Sequence, residues 1–450
     1  MRSYIALIAG KLTRFVSGVL GLGAGGTWPG EVALSISPQI LTTLSSQLTE
    51  GIIIVAGTNG KTTTSSIIAK ILEEKGRRVI HNATGANLVN GITSTLLRNA
   101  NWLGNLQADW GVFETDENSL PRILSEFKIH PDQIGTKFKI IVVLLNLFRD
   151  QLDRYGEVDV IAEKWEKALL PLPKDTTVVL NADDPGIVGI GEKLYCKKIY
   201  FGIEDKKLLQ SKIQHAVDSV FCPNCGSRLT FAGTFFSHLG HWNCKKCKLK
   251  RPCPTIYDGN VKLPGLYNRY NVYAAIGASL VLGINKQIID QTLAHVTAAF
   301  GRQEELTILG KRVKLVLSKN PTGFNESLRT VISLGARHLL FVLNDRIPDG
   351  RDVSWIWDVD FEQLPAWVTP VVSGDRAYDL ALRLKYARPV HKLPKGAVSE
   401  PVTPILVYER LETALKFCLE GIDVKETLYI LPTYSAMLEV RKILTGSKIL

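Results

Sequence analysis

A glycine-rich loop between an apolar strand and a helix constrains this sequence more than any other feature. Residues 52–55 read Ile-Ile-Ile-Val, which is typical of a strand buried on both faces. The loop from Gly57 to Thr63 reads Gly-Thr-Asn-Gly-Lys-Thr-Thr, and a helical pattern runs from about Lys61 to Lys75. Backbone N–H groups of such a loop surround phosphate oxygens at the helix N-terminus. We therefore expect a nucleotide-binding α/β domain.

Each residue type in this loop suits a triphosphate. Gly57 and Gly60 would let the backbone approach the phosphates, Lys61 would supply counter-charge, and the Thr62 hydroxyl would bind magnesium. The residues expected to contact ATP are Gly57, Thr58, Asn59, Gly60, Lys61, Thr62 and Thr63. The loop is a shortened variant, because the Walker pattern has glycine where this chain has Val55. An ordinary glycine turn with an exposed lysine is the alternative.

Strand and helix patterns alternate along the rest of the 450 residues, a length that favours two or three domains. Buried-strand candidates at 110–113, 140–145 and 177–180 predict a doubly wound parallel sheet. The alternation stops in a Cys-, Gly- and Lys-rich segment and resumes at 313–317 and 339–343. We predict an N-terminal helical segment (1–50), an α/β ATP-binding domain (51–300) with an insertion at about 219–254, and a smaller C-terminal α/β domain (301–450).

Two C-x-x-C pairs in the inserted segment predict a zinc ribbon. Cys222 and Cys225 are separated by eighteen residues from Cys244 and Cys247, which is within the spacing of such modules. Four thiolates close a tetrahedral site and leave no position for a substrate water, so structural Zn²⁺ is expected. His238, His241 and Cys253 are the alternative ligands. The nearby lysines would suit nucleic acid, but the metal is needed merely to fold the module, and we expect no nucleic-acid partner.

The net charge and the N-terminal stretch help to predict where in the cell the protein works. The net charge of +11 and pI of about 9.2 suit an anionic partner: nucleic acid, a phosphorylated substrate or an acidic membrane surface. Residues 4–22 are apolar except where Lys11 and Arg14 interrupt them, and we interpret them as an amphipathic helix. A signal peptide or a membrane-surface helix is the alternative. The paired cysteines indicate a reducing compartment, so we expect a cytoplasmic protein, with peripheral contact at the inner face of the membrane left open.

The shortened loop resembles that of the Mur ligase superfamily, whose members join amines to carboxylates through acyl-phosphates. Glu114 follows a strand end, as the family's magnesium-binding glutamate does, so the resemblance implies that it binds Mg²⁺ with Thr62. Asp116 and Glu117 are the alternatives. Residues 146–154 resemble a family stretch in which a histidine helps to hold a second metal, but Gln151 replaces it here.

Other motifs extend this resemblance toward the C-terminus. It implies that Asn268, Asn271 and Arg302 contact ATP, through an adenine-binding asparagine motif and a domain junction. Lys319 and Asn325 occupy positions of catalytic-loop residues. Lys164 lies near the place of a carbamylated lysine in some relatives, but we interpret it as a solvated helical lysine, since the spacing is imperfect.

The inserted zinc module and the motif at 343–358 resemble one branch of the superfamily, which amidates the D-glutamate α-carboxyl of the lipid II stem peptide. That branch draws ammonia from glutamine in a GatD-type glutamine amidotransferase partner. The resemblance implies catalytic roles for Lys61, Glu114 and Asp352, the last completing a Cys-His pair of the partner; Asp349 is the alternative. Cys418 lies in a helical pattern without the glycine elbow of a nucleophile, so ammonia must come from elsewhere.

The expected cofactors are thus ATP, Mg²⁺ and a structural Zn²⁺. Two rival functions remain at this stage. One is an amino-acid-adding ligase of the same superfamily, such as a folylpolyglutamate-type enzyme. The other is a zinc-dependent nucleic-acid-binding ATPase, which the charge and the ribbon would support.

Overall fold

The structure, a computed structural model, describes residues 2–19, 26–83, 85–127, 138–150, 156–211, 214, 217–259, 261–296, 302–387 and 404–446. The α-helices are α1 (Arg2–Val19), α2 (Trp28–Ile36), α3 (Ile40–Ser45), α4 (Lys61–Glu74), α5 (Val89–Asn99), α6 (Leu120–Glu126), α7 (Val158–Leu169), α8 (Pro185–Lys193), α9 (Leu266–Val281), α10 (Lys286–Ala294), α11 (Pro321–Ser333), α12 (Ala377–Ala387), α13 (Leu411–Glu420) and α14 (Tyr434–Thr445). The strands are β1 (Gly51–Ala56), β2 (Val79–His81), β3 (Trp110–Thr115), β4 (Lys139–Leu144), β5 (Thr177–Asn181), β6 (Lys197–Phe201), β7 (Thr230–Phe236), β8 (Leu239–Asn243), β9 (Arg302–Ile308), β10 (Lys311–Val316), β11 (His338–Val342), β12 (Thr369–Ser373), β13 (Leu406–Val407) and β14 (Thr427–Pro432).

The first sheet has six parallel strands in the order β2-β3-β1-β4-β5-β6. Every residue of β1 is buried, since helices cover both faces of the sheet. Ile52 and Ile54 face a core shared with α5 to α8, whereas Ile53 and Val55 face a core shared with α4, α9 and α10. This is the three-layer arrangement that the apolar run at 52–55 predicts.

The N-terminal helices pack onto the first sheet. Ala6 and Leu7 of α1 and Leu41 of α3 belong to the same core cluster as Ile52 and Ile54 of β1. Thus α1 to α3 pack against one another and against α5, and they share the core on this face of the sheet. Among the described helices, none is both long enough and apolar enough to cross a bilayer.

The second sheet also has six strands, in the order β13-β12-β11-β14-β10-β9. Its strands are parallel except at the β9–β10 edge, which is an antiparallel pair. Residues of β11 alternate between two cores: Leu339 and Phe341 pack with α11 and α12, whereas Leu340 and Val342 pack with α13 and α14. The predicted α/β class, with a parallel sheet and a C-terminal α/β domain, is confirmed.

The cysteine-rich insertion forms an antiparallel hairpin of β7 and β8. Arg251, which follows the hairpin, fastens it to the first domain: its guanidinium donates to Asp183 Oδ1 and Glu204 Oε1, at 2.6 Å each. Asp183 is fully buried and also accepts from the Tyr270 hydroxyl of α9 at 2.7 Å. Charge-assisted bonds of this kind fix orientation, so the insertion is held firmly against the ATP-binding domain.

Candidate active site

The glycine-rich loop connects β1 to α4 at the carboxyl edge of the first sheet. Gly57 and Gly60 have φ angles of +150° and +92°, which L-residues with side chains rarely adopt. A Cβ at Gly60 would also lie 2.0 Å from Asn271 Oδ1. Glycine at position 60 therefore serves two purposes: it allows the turn into α4, and it lets α9 approach the loop.

Asn146, just beyond β4, holds the loop in shape. Its side chain accepts from the backbone N–H of Asn59 at 2.9 Å and donates to the Asn59 carbonyl at 3.0 Å. Thr58 is fixed in the same way, because its hydroxyl donates to the Phe148 carbonyl and accepts from the Phe148 N–H. These bonds preorganise the loop before any ligand binds. No role is predicted for Asn146 from the sequence. Only its position just after a strand end could have indicated that it holds the loop.

Lys61, the first residue of α4, is buried within the loop. Its ammonium group donates to the carbonyls of Gly57 and Thr58, at 2.5 and 3.2 Å, and lies 3.2 Å from Glu117 Oε1. Both side chains of the ion pair are less than a tenth exposed. A cation enclosed in this way can stabilise charge on a phosphoryl group far more strongly than one in water. The structure thus makes Glu117 the ion-pair partner of this lysine.

Glu114 lies at the end of β3, in register with Val55 of β1 and therefore beside the start of the loop. Its backbone N–H donates to Asn82 Oδ1, and the Asn82 side chain returns a bond to the Glu114 carbonyl, both at 2.9 Å. The neighbouring Asp116 accepts from the backbone N–H of Asn118. Glu114 is a buried carboxylate at the sheet edge from which the loop with Thr62 leaves, and carboxylate and hydroxyl oxygens are donors that suit Mg²⁺.

Helix α9 supplies the other wall of the cleft. Asn271 faces Gly60 and donates to Asn268 Oδ1 at 3.1 Å, while Asn268 donates to the Pro264 carbonyl at 2.7 Å. The cleft beside Asn271 is also lined by aromatic rings, those of Phe236, Tyr267 and Tyr270. An amide and aromatic faces together suit a purine base, so this wall of the cleft is a candidate place for the base of a nucleotide.

The second domain closes this cleft through residues after β10. Asn320 Nδ2 donates to Asn59 Oδ1 at 3.1 Å, so the second domain contacts the phosphate loop directly. The Lys319 ammonium forms an ion pair with the Asp150 carboxylate of the first domain. Arg149 also joins the two domains, because its guanidinium binds Asp218 of the first domain and lies 2.7 Å from Asp358 Oδ2 of the second. The carboxyl edges of the two sheets thus face each other.

Two further residues of the second domain lie at or near the cleft. Glu326 of α11 lines it; burial raises the pKa of this carboxyl to about 7, although Arg329 Nη1 lies 3.0 Å away. The pKa of Tyr434 is raised by burial and then by the negative charges of Glu114 and Asp349, which places this phenol near the carboxylates. Neither residue lies in a local motif, so no sequence signal marked them.

The two aspartates of the C-terminal motif differ in surroundings. Asp349 is buried and accepts from the backbone N–H of Ser435 at 2.8 Å, with a second bond from the Ser435 hydroxyl. It therefore holds the first turn of α14. Asp352 is exposed, and its carboxylate accepts from the Ser354 N–H and hydroxyl at 2.8 and 2.9 Å. Of the two, Asp352 is the one that another molecule can reach.

The remaining predicted positions have mixed outcomes. Gln151 lies outside the described residues, and Arg302 begins β9 with its side chain likewise outside them. Lys164 is an exposed helical lysine that donates to Asn118 Oδ1 at 2.9 Å. The Asn325 amide lies inside the second domain, where it exchanges hydrogen bonds with Asp360. Asn325 is therefore committed to packing the second domain.

The four cysteine thiols of the insertion converge. The Sγ atoms of Cys222, Cys225, Cys244 and Cys247 all lie within 4.8 Å of one another, and two of the pairs are 3.5 Å apart. Tetrahedral zinc with Zn–S bonds of about 2.3 Å requires thiolate separations of nearly 4 Å, so this donor set fits. His238 is fully buried and lies 3.4 Å from Asp184 Oδ2, outside the sulfur cluster. The cysteine quartet is thus the candidate metal centre.

Comparisons with known proteins agree with this architecture. A family model for the Mur ligase middle domain matches residues 55–279, and one for the MurT ligase C-terminal region matches residues 317–437. The Streptococcus pneumoniae protein named lipid II isoglutaminyl synthase (glutamine-hydrolyzing) subunit MurT is 33% identical, covering 100% of this chain and 98% of its own. Its namesake from Staphylococcus aureus strain COL is 32% identical over 97% and 96% of the two chains.

Solved structures agree on the fold. A pseudomurein peptide ligase type C from Methanothermus fervidus has a TM-score of 0.63 and 22% identity, covering 88% of this chain and 79% of its own. MurF from Acinetobacter baumannii has a TM-score of 0.60 and 14% identity, with coverage of 92% and 80%. The fold and the sequence matches together define a Mur-type ligase. The chain belongs to the Mur ligase superfamily and, within it, to the family of MurT subunits.

Proposed function

We propose that this chain is the ATP-dependent synthetase subunit that amidates the D-glutamate α-carboxyl of the lipid II stem peptide, giving D-isoglutamine for peptidoglycan synthesis. The observation that carries this proposal is the full-length similarity to two MurT subunits, at 32–33% identity. The preformed phosphate loop and the closed cleft beside it support the ATP-dependent step independently, because they provide the geometry that phosphoryl transfer requires.

The reaction proceeds in two steps at this cleft. An oxygen of the substrate carboxylate attacks the γ-phosphorus of ATP, the bond to the β-phosphate oxygen breaks, and ADP leaves. Ammonia then attacks the carbon of the acyl-phosphate, the carbon–oxygen bond breaks, inorganic phosphate leaves and a proton is lost as the amide forms. The acyl-phosphate formed in the first step must be kept from water until ammonia attacks it. The contacts that Asn320 and Lys319 make across the cleft support this exclusion of water.

Several side chains have roles in these steps. Lys61 and the loop N–H groups hold the phosphates, while Asn268 and Asn271 lie where the base extends. Glu114 and Thr62 are the residues that would hold Mg²⁺, which neutralises charge on the phosphates when bound. Arg302 is retained as an ATP contact from the domain junction, with Lys319 as a residue near the transferred group. We therefore propose Lys61 and Glu114 as the catalytic residues of this cleft, and Asp352 as the catalytic residue that serves the partner.

Ammonia requires a second subunit, which we propose to be a GatD-type glutamine amidotransferase. The exposed carboxylate of Asp352 supports this, since a carboxylate can orient the histidine that activates a thiol nucleophile. A purely structural role as a turn or helix-capping residue is the alternative for Asp352, because its carboxylate accepts both bonds from Ser354. An Asp352→Asn variant separates these roles: it should lose glutamine-dependent amidation and keep amidation driven by added ammonium chloride.

We also propose that the cysteine quartet binds structural zinc, so that the insertion is a zinc ribbon. The convergence of four thiols in a small hairpin supports this, because a module with so little apolar core gains its folding free energy from the metal. Cys222→Ser should lower the zinc content and the soluble yield. Cys253→Ser, an exposed cysteine outside the quartet, is the matched control and should retain its zinc. Unchanged zinc in Cys222→Ser would contradict the ribbon.

The proposed function is tested by mass spectrometry of lipid II incubated with this chain, the amidotransferase partner, glutamine and ATP. We expect the stem carboxyl to become a carboxamide in the complete mixture and to stay unchanged when the partner is omitted. ATP hydrolysis without amidation, together with incorporation of a free amino acid, would favour the amino-acid-adding alternative. Binding to lipid II also places the protein at the inner face of the membrane during the reaction, as a peripheral protein.

A further inference from the structure

Helix α1 has an unusual surface, because its outward face is apolar. The side chains of Leu12, Phe15 and Val19 are 50%, 67% and 70% exposed. The residues that share this face are Tyr4, Ile5, Ile8, Leu12, Phe15, Val16 and Val19. At 3.6 residues per turn they occupy an arc of about 120° along the whole helix. We call this arc the α1 apolar face.

The opposite side of α1 explains why this face is not part of the core. Ala6, Leu7 and Gly10 are buried against the first domain, and a Cβ on Gly10 would lie 2.8 Å from Leu97 Cδ1 of α5. The helix is therefore already anchored by one side. Ordinary surface helices such as α7 expose charged residues such as Glu163 and Lys167 to water. Six exposed apolar side chains on one side of α1, with the half-buried Ile8 among them, instead indicate a surface that binds a partner.

Lys11 borders the α1 apolar face, and two exposed cations, Arg14 and Arg98, lie farther round, on the side of α1 that meets α5. Partial burial lowers the pKa of both Lys11 and Arg98, and the positive charge of the nearby Arg14 lowers it further. None of these three cations has a carboxylate within ion-pair distance among the described residues, and α1 contains no acidic residue. Like charges gathered beside an apolar surface, without a counter-ion from the chain itself, favour an anionic partner.

Aromatic residues extend the same surface. The Lys11 ammonium donates to the Ala100 carbonyl and lies 5.4 Å from the centre of the Trp102 ring. Trp102 and the adjacent Leu103 are 58% and 72% exposed. Tryptophan and tyrosine rings next to lysine and arginine are typical of the boundary between lipid headgroups and acyl chains.

We propose that the α1 apolar face, with Lys11 at its border and Arg14 and Arg98 flanking the helix, docks onto the surface of an anionic phospholipid bilayer. The helix lies in the interface plane, since no described helix can cross a membrane. Its length of about 27 Å, at 1.5 Å per residue, gives a continuous line of contact. The biological purpose rests on the proposed function, because an enzyme that modifies a lipid-linked stem peptide gains by staying on the membrane that carries it.

The test is flotation of the full chain with vesicles that contain no lipid II. We expect binding to phosphatidylglycerol–phosphatidylcholine vesicles, weaker binding to phosphatidylcholine alone, and loss of this difference at high salt. The double variant Leu12→Glu, Phe15→Glu should partition at least about tenfold less, because two buried apolar side chains are lost. Arg14→Gln should reduce only the preference for the anionic lipid.

Leu309→Glu is the matched control, since Leu309 is 85% exposed on the turn between β9 and β10 of the second sheet, whereas α1 shares the core of the first. It should bind vesicles as the unmodified chain does. Equal vesicle binding by the double variant would overturn the proposal. Light scattering gives a second way to overturn it. If the unmodified chain forms a dimer, or a complex with the amidotransferase partner, that dissociates in the double variant, then another protein and not a bilayer covers the α1 apolar face.

Amidation assays separate this inference from the proposed function. In the double variant we expect amidation of detergent-dispersed lipid II to persist, whereas amidation of lipid II in vesicles should fall. Equal loss in detergent and in vesicles would overturn the membrane-docking role. Failure of the unmodified chain to amidate lipid II in either form would count against the proposed function, while flotation would still decide whether the α1 apolar face binds lipid.

Discussion

The two six-stranded sheets present the carboxyl ends of their strands to one cleft, but the two edges are built differently. At the first edge the polar groups are joined within the domain: Asn146 holds Asn59, and Lys61 lies among carbonyls and Glu117. At the second edge Lys319 and Asn320 reach across to the other domain. The first edge is therefore preformed for binding, whereas the second contributes a few polar contacts that opening of the cleft can break.

Loss of the buried cation should have the largest effect. Lys61→Ala is expected to lower amidation by about a thousandfold or more, because it removes charge from the preorganised loop. Circular dichroism should show a retained fold, with a lower melting temperature because Glu117 loses its ion-pair partner. Lys164→Ala, an exposed lysine, is the control and should remain active. Amide synthesis by Lys61→Ala at the control rate would contradict the phosphate-loop assignment.

A smaller effect is expected at the second edge. Lys319→Ala should lower kcat by about ten- to a hundredfold, since closure would position the reacting groups less accurately. Asp150→Asn should have a similar effect, and the double variant should be little worse than either single one, because the two residues form one ion pair. Steady-state kinetics of the four proteins measures this coupling.

Lys314→Ala is the matched control for this cycle, because Lys314 pairs with Glu305 inside the second domain. Its kcat should be unchanged. Fully additive losses for Lys319→Ala and Asp150→Asn would mean that the contact across the cleft does not govern closure. In that case the two sheet edges would differ only in how they bind the nucleotide and substrate, and not in how they control closure of the cleft.

The smallest effect concerns the pH dependence of stability. The pKa of Glu326 is about 7 in the folded protein because burial disfavours the carboxylate, whereas the unfolded value is near 4.5. As the pH rises, the unfolded chain therefore releases this proton at a lower pH than the folded protein does. The contribution of the protonated Glu326 to the free energy of unfolding is complete below about pH 4.5 and is lost as the pH rises through about 7. Glu326→Gln should melt at nearly the wild-type temperature at pH 5 and a few degrees higher at pH 8.

The exposed Glu163→Gln of α7 serves as the control for this comparison, and its difference from wild type should not change with pH. Differential scanning fluorimetry between pH 5 and pH 8 measures both variants. If the melting temperature of Glu326→Gln relative to wild type falls as the pH rises, the expectation is contradicted. The carboxylate, and not the protonated acid, would then be the form that the folded protein stabilises.

The sequence indicated the fold where local patterns are strong. Candidate strands at 52–55, 110–113, 140–145 and 177–180 match β1, β3, β4 and β5 of the first sheet. Short edge strands such as β2 and β13 escaped notice because three or two residues leave no periodicity to read. The antiparallel β9 was missed as well, since its pairing with β10 depends on a turn and not on an apolar run.

The sequence by itself predicts the chemistry of the phosphate loop and of the cysteine pairs, since each prediction depends on residue types at short, fixed spacing. The tertiary structure decided which distant residues join them: Glu117 beside Lys61, Lys319 beside Asp150, and Asn271 against Gly60. It also decided that the apolar side of α1 faces outward. These outcomes depend on how helices and sheets pack across long stretches of chain, and no local spacing encodes that packing.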